Sequence, residues 1–180
     1  ADRHVLFFGF VRKYKGLDLL IKAFADERLR KLGIKLIAAG EFYEDRQPYL
    51  QLIEKNGLGD VVSFHDKYIP TEQVRHYFCS ARIVAQPYRD ATQSGVTQIA
   101  YQFGRPMLVT DVGGLAEIVP DGKAGFVTAP EPGAIADALV RFFEYDLEAP
   151  FAKAVEEGAH LFSWDHFTEE FLNFAEEIHD

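Results

Sequence analysis

The stretch RIVAQPYRDATQSGVTQIAYQFGRPMLVTD, residues 82–111, constrains the fold more than any other part of the chain. Ile83, Val84 and Ala85 form a short apolar run stopped by Pro87, and Met107, Leu108 and Val109 form a second one that ends at Asp111. Short uninterrupted apolar runs suit parallel strands covered on both faces. Between them, Thr92, Gln93, Ser94 and Gly95 open a helical segment, 96–103, which Gly104 and Pro106 close. A helix start rich in small hydroxyl residues and glycine offers backbone N–H groups and the positive end of the helix dipole to an anion. The order strand, loop, helix, strand therefore predicts a parallel α/β unit with a phosphate-sized anion site at residues 92–95.

The same alternation runs through the remainder. VLFFGF (5–10), IKLIAA (34–39), residues 61–64 and GFVT (125–128) read as further strands. Residues 17–24, 48–56 and 71–80 read as the helices between them, the last with Thr71 as N-cap. VGGLAEIVPDG (112–122) reads as a Gly-rich loop with one helical turn, and 133–145, 149–161 and 165–178 as closing helices. Such alternation predicts one α/β domain over residues 1–180, a doubly wound parallel sheet of about six strands with helices on both faces, Rossmann-like in class. Ligands in such sheets sit outside the carboxyl ends of the strands. The loops of interest are thus 9–16, 40–43, 65–69, 88–95 and 111–117.

Composition narrows the partners. A formal net charge of −9, with Lys and Arg scattered, disfavours a nucleic-acid backbone, which needs a clustered basic face. One compact phosphate needs only a local positive spot. Cys79 is the only cysteine, which excludes an intrachain disulfide and a paired-thiol metal site and fits a reducing cytoplasm. The six histidines have no metal-ligand spacing, and none pairs with Ser or Cys in a nucleophile motif. No apolar run approaches the roughly 18 residues of a spanning helix. The sole methionine is Met107, so the chain is expected to be either processed or excised from a longer protein, and a core strand that begins almost at the first residue favours excision.

GFVRKYKG places Arg12, Lys13 and Lys15 after the first strand and beside a helix start. Lysine is a point charge suited to a diphosphate, and arginine offers a fork of donors. A solvated basic turn is the competing reading, but a second anion-ready loop at 92–95 is expected on the same edge. Glu41 and Glu117 lie in strand-end loops and either accept hydrogen bonds from sugar hydroxyls or, for Glu117, cap a turn. Asp90 and Asp111 read as turn-formers. Phe10, Tyr43, Tyr68 and Tyr88 stand out as strand-end aromatics placed to pack on a base or a partner domain.

At this point the residues resemble the carboxyl-terminal, donor-binding half of two-domain GT-B glycosyltransferases of the retaining group often called family 4. The resemblance covers nearly the whole chain. It rests on FFGFVRKYKGLDLLIKAF, IKLIAAGE, VVSFHDKYIPTEQVRHYFCSARIVAQPY, FGRPMLVTDVGGLAEIVPDGKAGFV and FSWDHFTEEFL in that order. It implies that Lys15 is the lysine that contacts the donor diphosphate, with Gly9 at the strand end. The arginine usual after that glycine is replaced by Phe10, and Arg12 would take over its role. Backbone around Thr92, Ser94, Gly95 and Val96 would cradle the distal phosphate and sugar, with Tyr88 before it. Gly40 and Glu41 would flank the donor, and Asp66, Lys67 and Tyr68 in HDKYI would form the wall against the base. Two glutamates common in the family fall, counting back from Gly104, at Ala91 and Ile99, so both are absent. Gln98 lies next to the second position, but one residue along a helix turns a side chain by about 100°.

The resemblance implies transfer of a hexosyl group from a nucleoside diphosphate sugar to a hydroxyl acceptor, with retention and with neither metal nor other cofactor. The acceptor site would belong to an amino-terminal domain outside this chain, and so would any contact with the inner membrane face of a cytoplasmic enzyme. Two alternatives stand beside this one. One is a nucleotide-binding or assembly module that has lost its catalytic carboxylates, and the other a nucleotide-sugar epimerase of the same architecture.

Overall fold

A computed structural model describes residues 3–159, together with Thr168. Six strands form one sheet: β1 (Arg3–Phe8), β2 (Ile34–Ala39), β3 (Val62–His65), β4 (Ile83–Gln86), β5 (Met107–Thr110) and β6 (Gly125–Thr128). Their order is β3-β2-β1-β4-β5-β6 and every pair is parallel. The order reverses direction between β1 and β4, so the chain leaves these two adjacent strands toward opposite sides. That reversal opens a crevice at their carboxyl ends.

Alternation along the strands divides the core into two layers. Val5 and Phe7 of β1, with Ile83 and Ala85 of β4, pack under α1 (Leu17–Ala23), α2 (Glu27–Lys31), α3 (Gln47–Lys55) and α7 (Pro132–Glu144). Leu6, Val84, Met107 and Val109 face the other way. They pack with residues of α4 (Thr71–Ser80), α5 (Gly95–Gln102), α6 (Leu115–Ile118) and α8 (Glu148–Gly158). Strands buried on both faces explain why the sequence shows apolar runs there rather than alternation.

Several boundaries differ from the sequence reading. β1 stops at Phe8 rather than at residue 10, because Gly9 takes φ +100° and bends the chain; strand-like pairing resumes at Val11, opposite Phe42. Thr71 is the first residue of α4 and not its cap: Pro70 takes the flanking position, and its carbonyl accepts the Gln73 amide at 2.8 Å. Helix α2 was not anticipated. It is short, and Asp26 caps it, the carboxylate accepting the Arg28 amide at 2.8 Å. The expected helix at 165–178 lies outside the described residues apart from Thr168, as do the last residues of the one expected at 149–161.

Candidate functional site

A cleft of about 730 Å³ opens where β1 and β4 end. Gly9, Phe10, Tyr14 and Lys15 form one wall, the loop from Tyr88 through Ser94 forms the other, and Gly95, Val96 and Ile99 of α5 close the end. The start of α5 is built as the sequence suggested. Ser94 is extended at φ −139°, ψ 119°, and its hydroxyl accepts the Val96 amide at 3.3 Å. The Thr97 amide donates to the Ser94 carbonyl at 3.1 Å. Gln86 anchors this first turn to β4, its side-chain oxygen accepting the Thr97 hydroxyl at 3.2 Å in a fully buried setting.

Lys15 ends a 3-10 turn, Lys13–Lys15, that Gly16 follows in a left-handed conformation. Its ammonium lies 5.7 Å from the centroid of the Tyr88 ring, a cation–π arrangement. Burial, and after it the neighbouring Arg12 charge, hold its pKa below the ordinary lysine value. Among the described residues no carboxylate forms an ion pair with it. A partly desolvated ammonium with no ion-pair partner among the described residues, sharing a cleft with a helix start and with Asp90, can receive an anion.

Tyr88 departs from its expected exposure. It is 3% exposed and belongs to the core, with its carbonyl accepting the Thr110 hydroxyl at 2.5 Å. Its own hydroxyl lies 3.2 Å from the Ser94 hydroxyl, and burial raises its pKa to about 12. Tyr88 thus forms the floor beneath Lys15 rather than a free platform. The edge of Tyr14, half exposed and not singled out in the sequence, meets it at 6.1 Å between centroids. Tyr14 sits between the two lysines of the basic loop, and that position was the available signal for it.

The remaining candidates stand elsewhere. Arg12 is exposed and lies over the Tyr43 ring at 5.1 Å, and Tyr43 in turn meets Phe10 edge-on at 4.6 Å. Gly40 is buried with its Cα against the Gly9 carbonyl, so it supports the Gly9 bend from beneath. Glu41 contributes its backbone carbonyl, which accepts the Val11 amide at 2.8 Å. Asp66 accepts the Phe42 amide at 3.2 Å and pairs with Arg46 at 3.1 Å, while Lys67 and Tyr68 are exposed beside it. Arg12, Gly40, Glu41, Tyr43, Asp66, Lys67 and Tyr68 do not line the Lys15 cleft, whereas Phe10 does. Glu117, exposed in α6, does not line it either, whereas Ala91 and Ile99 both do.

A neighbouring cleft of about 620 Å³ lies on the far side of the basic turn. Its carboxylates are already engaged: Asp18 by Arg89 at 2.7 Å and Lys22 at 3.1 Å, Glu44 by the Lys13 amide at 2.7 Å and by the Tyr49 hydroxyl. Its cations Arg89 and Lys22 are paired in turn with Asp18, whereas Lys15 has no ion pair among the described residues.

A six-stranded parallel sheet with a cleft at its switch point defines a Rossmann-like α/β domain. Residues 2–144 match the glycosyl transferases group 1 family, and the chain belongs to that family. The D-inositol 3-phosphate glycosyltransferase of Nocardioides sp. is 30% identical over 185 residues, which cover 94% of this chain and 40% of that protein. The carboxyl-terminal domain of the group 1 glycosyl transferase LpcC from Francisella tularensis has the same fold, with a TM-score of 0.78 at 19% identity over 88% of this chain and 84% of that one. Anabaena HepE, solved with UDP and also with UDP-glucose, gives a TM-score of 0.82 at 22% identity in its UDP complex, over 98% of this chain and 49% of that one. The chain thus corresponds to the carboxyl-terminal domain of the GT-B architecture and spans about two fifths of the length of the Nocardioides relative.

Proposed function

We propose that this domain binds the nucleoside diphosphate sugar of a retaining glycosyltransferase that delivers a hexosyl group to a hydroxyl acceptor held by an amino-terminal domain. The observation that carries the reading is the convergence of the Lys15 ammonium and the start of α5 on one cleft. As the bond from sugar to diphosphate breaks, negative charge grows on the departing phosphate. A fixed ammonium and oriented backbone N–H groups lower the energy of that charge without reorganising. The buried Tyr88 ring beneath the ammonium limits water on that side of the developing charge. HepE, of the same fold, holds UDP and UDP-glucose, which supports a uridine donor here. No metal is assigned a role, because Lys15 supplies the positive charge.

Calorimetric titration of the chain with UDP, GDP and ADP tests the reading. One diphosphate should bind, and Lys15→Ala and Ser94→Pro should each abolish binding; undiminished affinity in Lys15→Ala would sink the assignment. A catalytically degenerate binding module is the second reading, favoured by Ala91 and Ile99, apolar groups at the cleft where the family resemblance leads one to expect carboxylates. Nucleotide affinity in the full-length protein without transfer or donor hydrolysis would select it.

A further inference from the structure

The turn that carries Lys15 is held from outside by side chains far away in sequence. Glu44 accepts the Lys13 amide at 2.7 Å on one side. On the other, Arg89 donates its own amide to the Tyr14 carbonyl at 2.7 Å and a guanidinium N–H to the Lys13 carbonyl at 3.0 Å. The same guanidinium grips Asp18 of α1 through two parallel bonds of 2.7 and 2.8 Å. Only Arg presents the planar fork that this bidentate contact needs while still reaching a third acceptor. Arg89 directly follows Tyr88, so it joins the loop that leads to Ser94 and α5 to the turn that bears the ammonium.

We propose that Asp18 and Arg89 are positioning residues for Lys15, fixing the distance between its ammonium and the start of α5. The inference rests on the donor reading of the cleft. Lys15 sits on a turn of three residues, whose intrinsic rigidity is low because short 3-10 pieces have poor hydrogen-bond geometry. The pair is partly buried, bidentate and shares Asp18 with Lys22, so its loss should lower melting somewhat as well as affinity, and the Lys15 pKa is the readout that a purely structural role would not move.

The test is UDP titration of the 180-residue chain carrying Arg89→Ala, Arg89→Lys, Asp18→Asn or Lys15→Ala, with thermal melting in parallel. Arg89→Ala and Asp18→Asn should each weaken UDP binding roughly tenfold, as ångström-scale misplacement of a binding group does, with Arg89→Lys between them and the parent. Melting should fall by a few degrees at most, since the pair is only partly buried. Without ligand, the Lys15 pKa read by NMR should move toward the ordinary lysine value in Arg89→Ala as the turn loosens into water. If Arg89→Ala fails to fold, Asp18→Asn, which keeps the side-chain shape and leaves the Arg89 backbone contacts in place, carries the test. Folded variants that bind UDP within about twofold of the parent would overturn the proposal, since coupled sites lose more than that. Unchanged binding in Lys15→Ala, or no binding by the parent, would instead overturn the donor reading.

Discussion

Gly16 lies against the carbonyl of Pro87: a Cβ built on Gly16, at φ +69°, would stand 1.9 Å from that oxygen. This contact brings the end of the basic turn onto the loop that follows β4. It explains why the two walls of the cleft approach so closely.

Gly16→Ala should therefore combine left-handed strain with a backbone clash that no side-chain rotation relieves. We expect a loss of roughly 2 kcal/mol or more in urea unfolding at unchanged slope. Gly33 is the control, with φ +66° and nothing within 4 Å of a Cβ. Gly33→Ala should cost only the strain of the left-handed conformation, about 1–2 kcal/mol. Equal losses at the two positions would show that the Pro87 contact gives way freely.

The lowered pKa of Lys15 sets two pH dependences of opposite sign. Burial first, and Arg12 second, hold the folded-state value below the 10.5 of a free lysine. Between these values the unfolded chain binds more protons than the folded one. Folding stability therefore carries a penalty at neutral pH that is relieved as pH rises through the folded pKa toward 10.5. Diphosphate binding runs the other way, because the anion favours the charged ammonium. Affinity should be full below the free-state pKa of Lys15 and fall as pH rises through it. Arg12→Ala removes one of the lowering influences, so the fall in UDP affinity should begin at higher pH than in the parent. An unchanged pH profile in that variant would mean that Arg12 does not act on Lys15.

The Ser94 hydroxyl caps α5 and also lies 3.2 Å from the Tyr88 hydroxyl. Ser94→Ala should cost about 1 kcal/mol of stability, the usual value of a helix N-cap, and should weaken UDP binding because the first turn of α5 frays. Tyr88→Phe removes the second contact and leaves the cap. Its effect on UDP affinity should be smaller than that of Ser94→Ala, and titration calorimetry on the two variants measures the difference.

Much of this architecture was legible because parallel strands buried on both faces must be short and apolar, as the runs in the fully buried β4 and β5 show. Gly9, Lys15 and Ser94 were legible for a related reason: residues at strand ends and helix starts announce themselves by type. What stayed hidden depends on tertiary contact. Asp18 and Arg89 are 71 residues apart, and nothing local marks either as a partner of the other. Tyr88 looked like an exposed loop aromatic, yet β5 approaches it through Thr110 and buries it. Arg12 turned toward Tyr43 because the chain bends at Gly9 and pairs again at Val11, a detail set by backbone geometry and not by charge. Helix α2 escaped because five residues are too few to display a period.

Gln86 and Thr97 form a buried polar pair between the last residue of β4 and the first turn of α5, at 3.2 Å. The Gln86 amide nitrogen is also buried and has no hydrogen-bond partner among the described residues. Such a site tolerates loss of both polar groups better than loss of one. Thr97→Val alone should destabilise by about 1–3 kcal/mol, since it leaves the Gln86 oxygen unpaired as well. Thr97→Val together with Gln86→Met should cost less than Thr97→Val alone, because no buried polar group then remains unsatisfied. Stability and ligand affinity should separate in this double variant. With the polar tie between β4 and α5 gone, UDP binding should weaken even where urea unfolding recovers. Recovery of both would mean that packing by itself holds the first turn of α5 in register with β4.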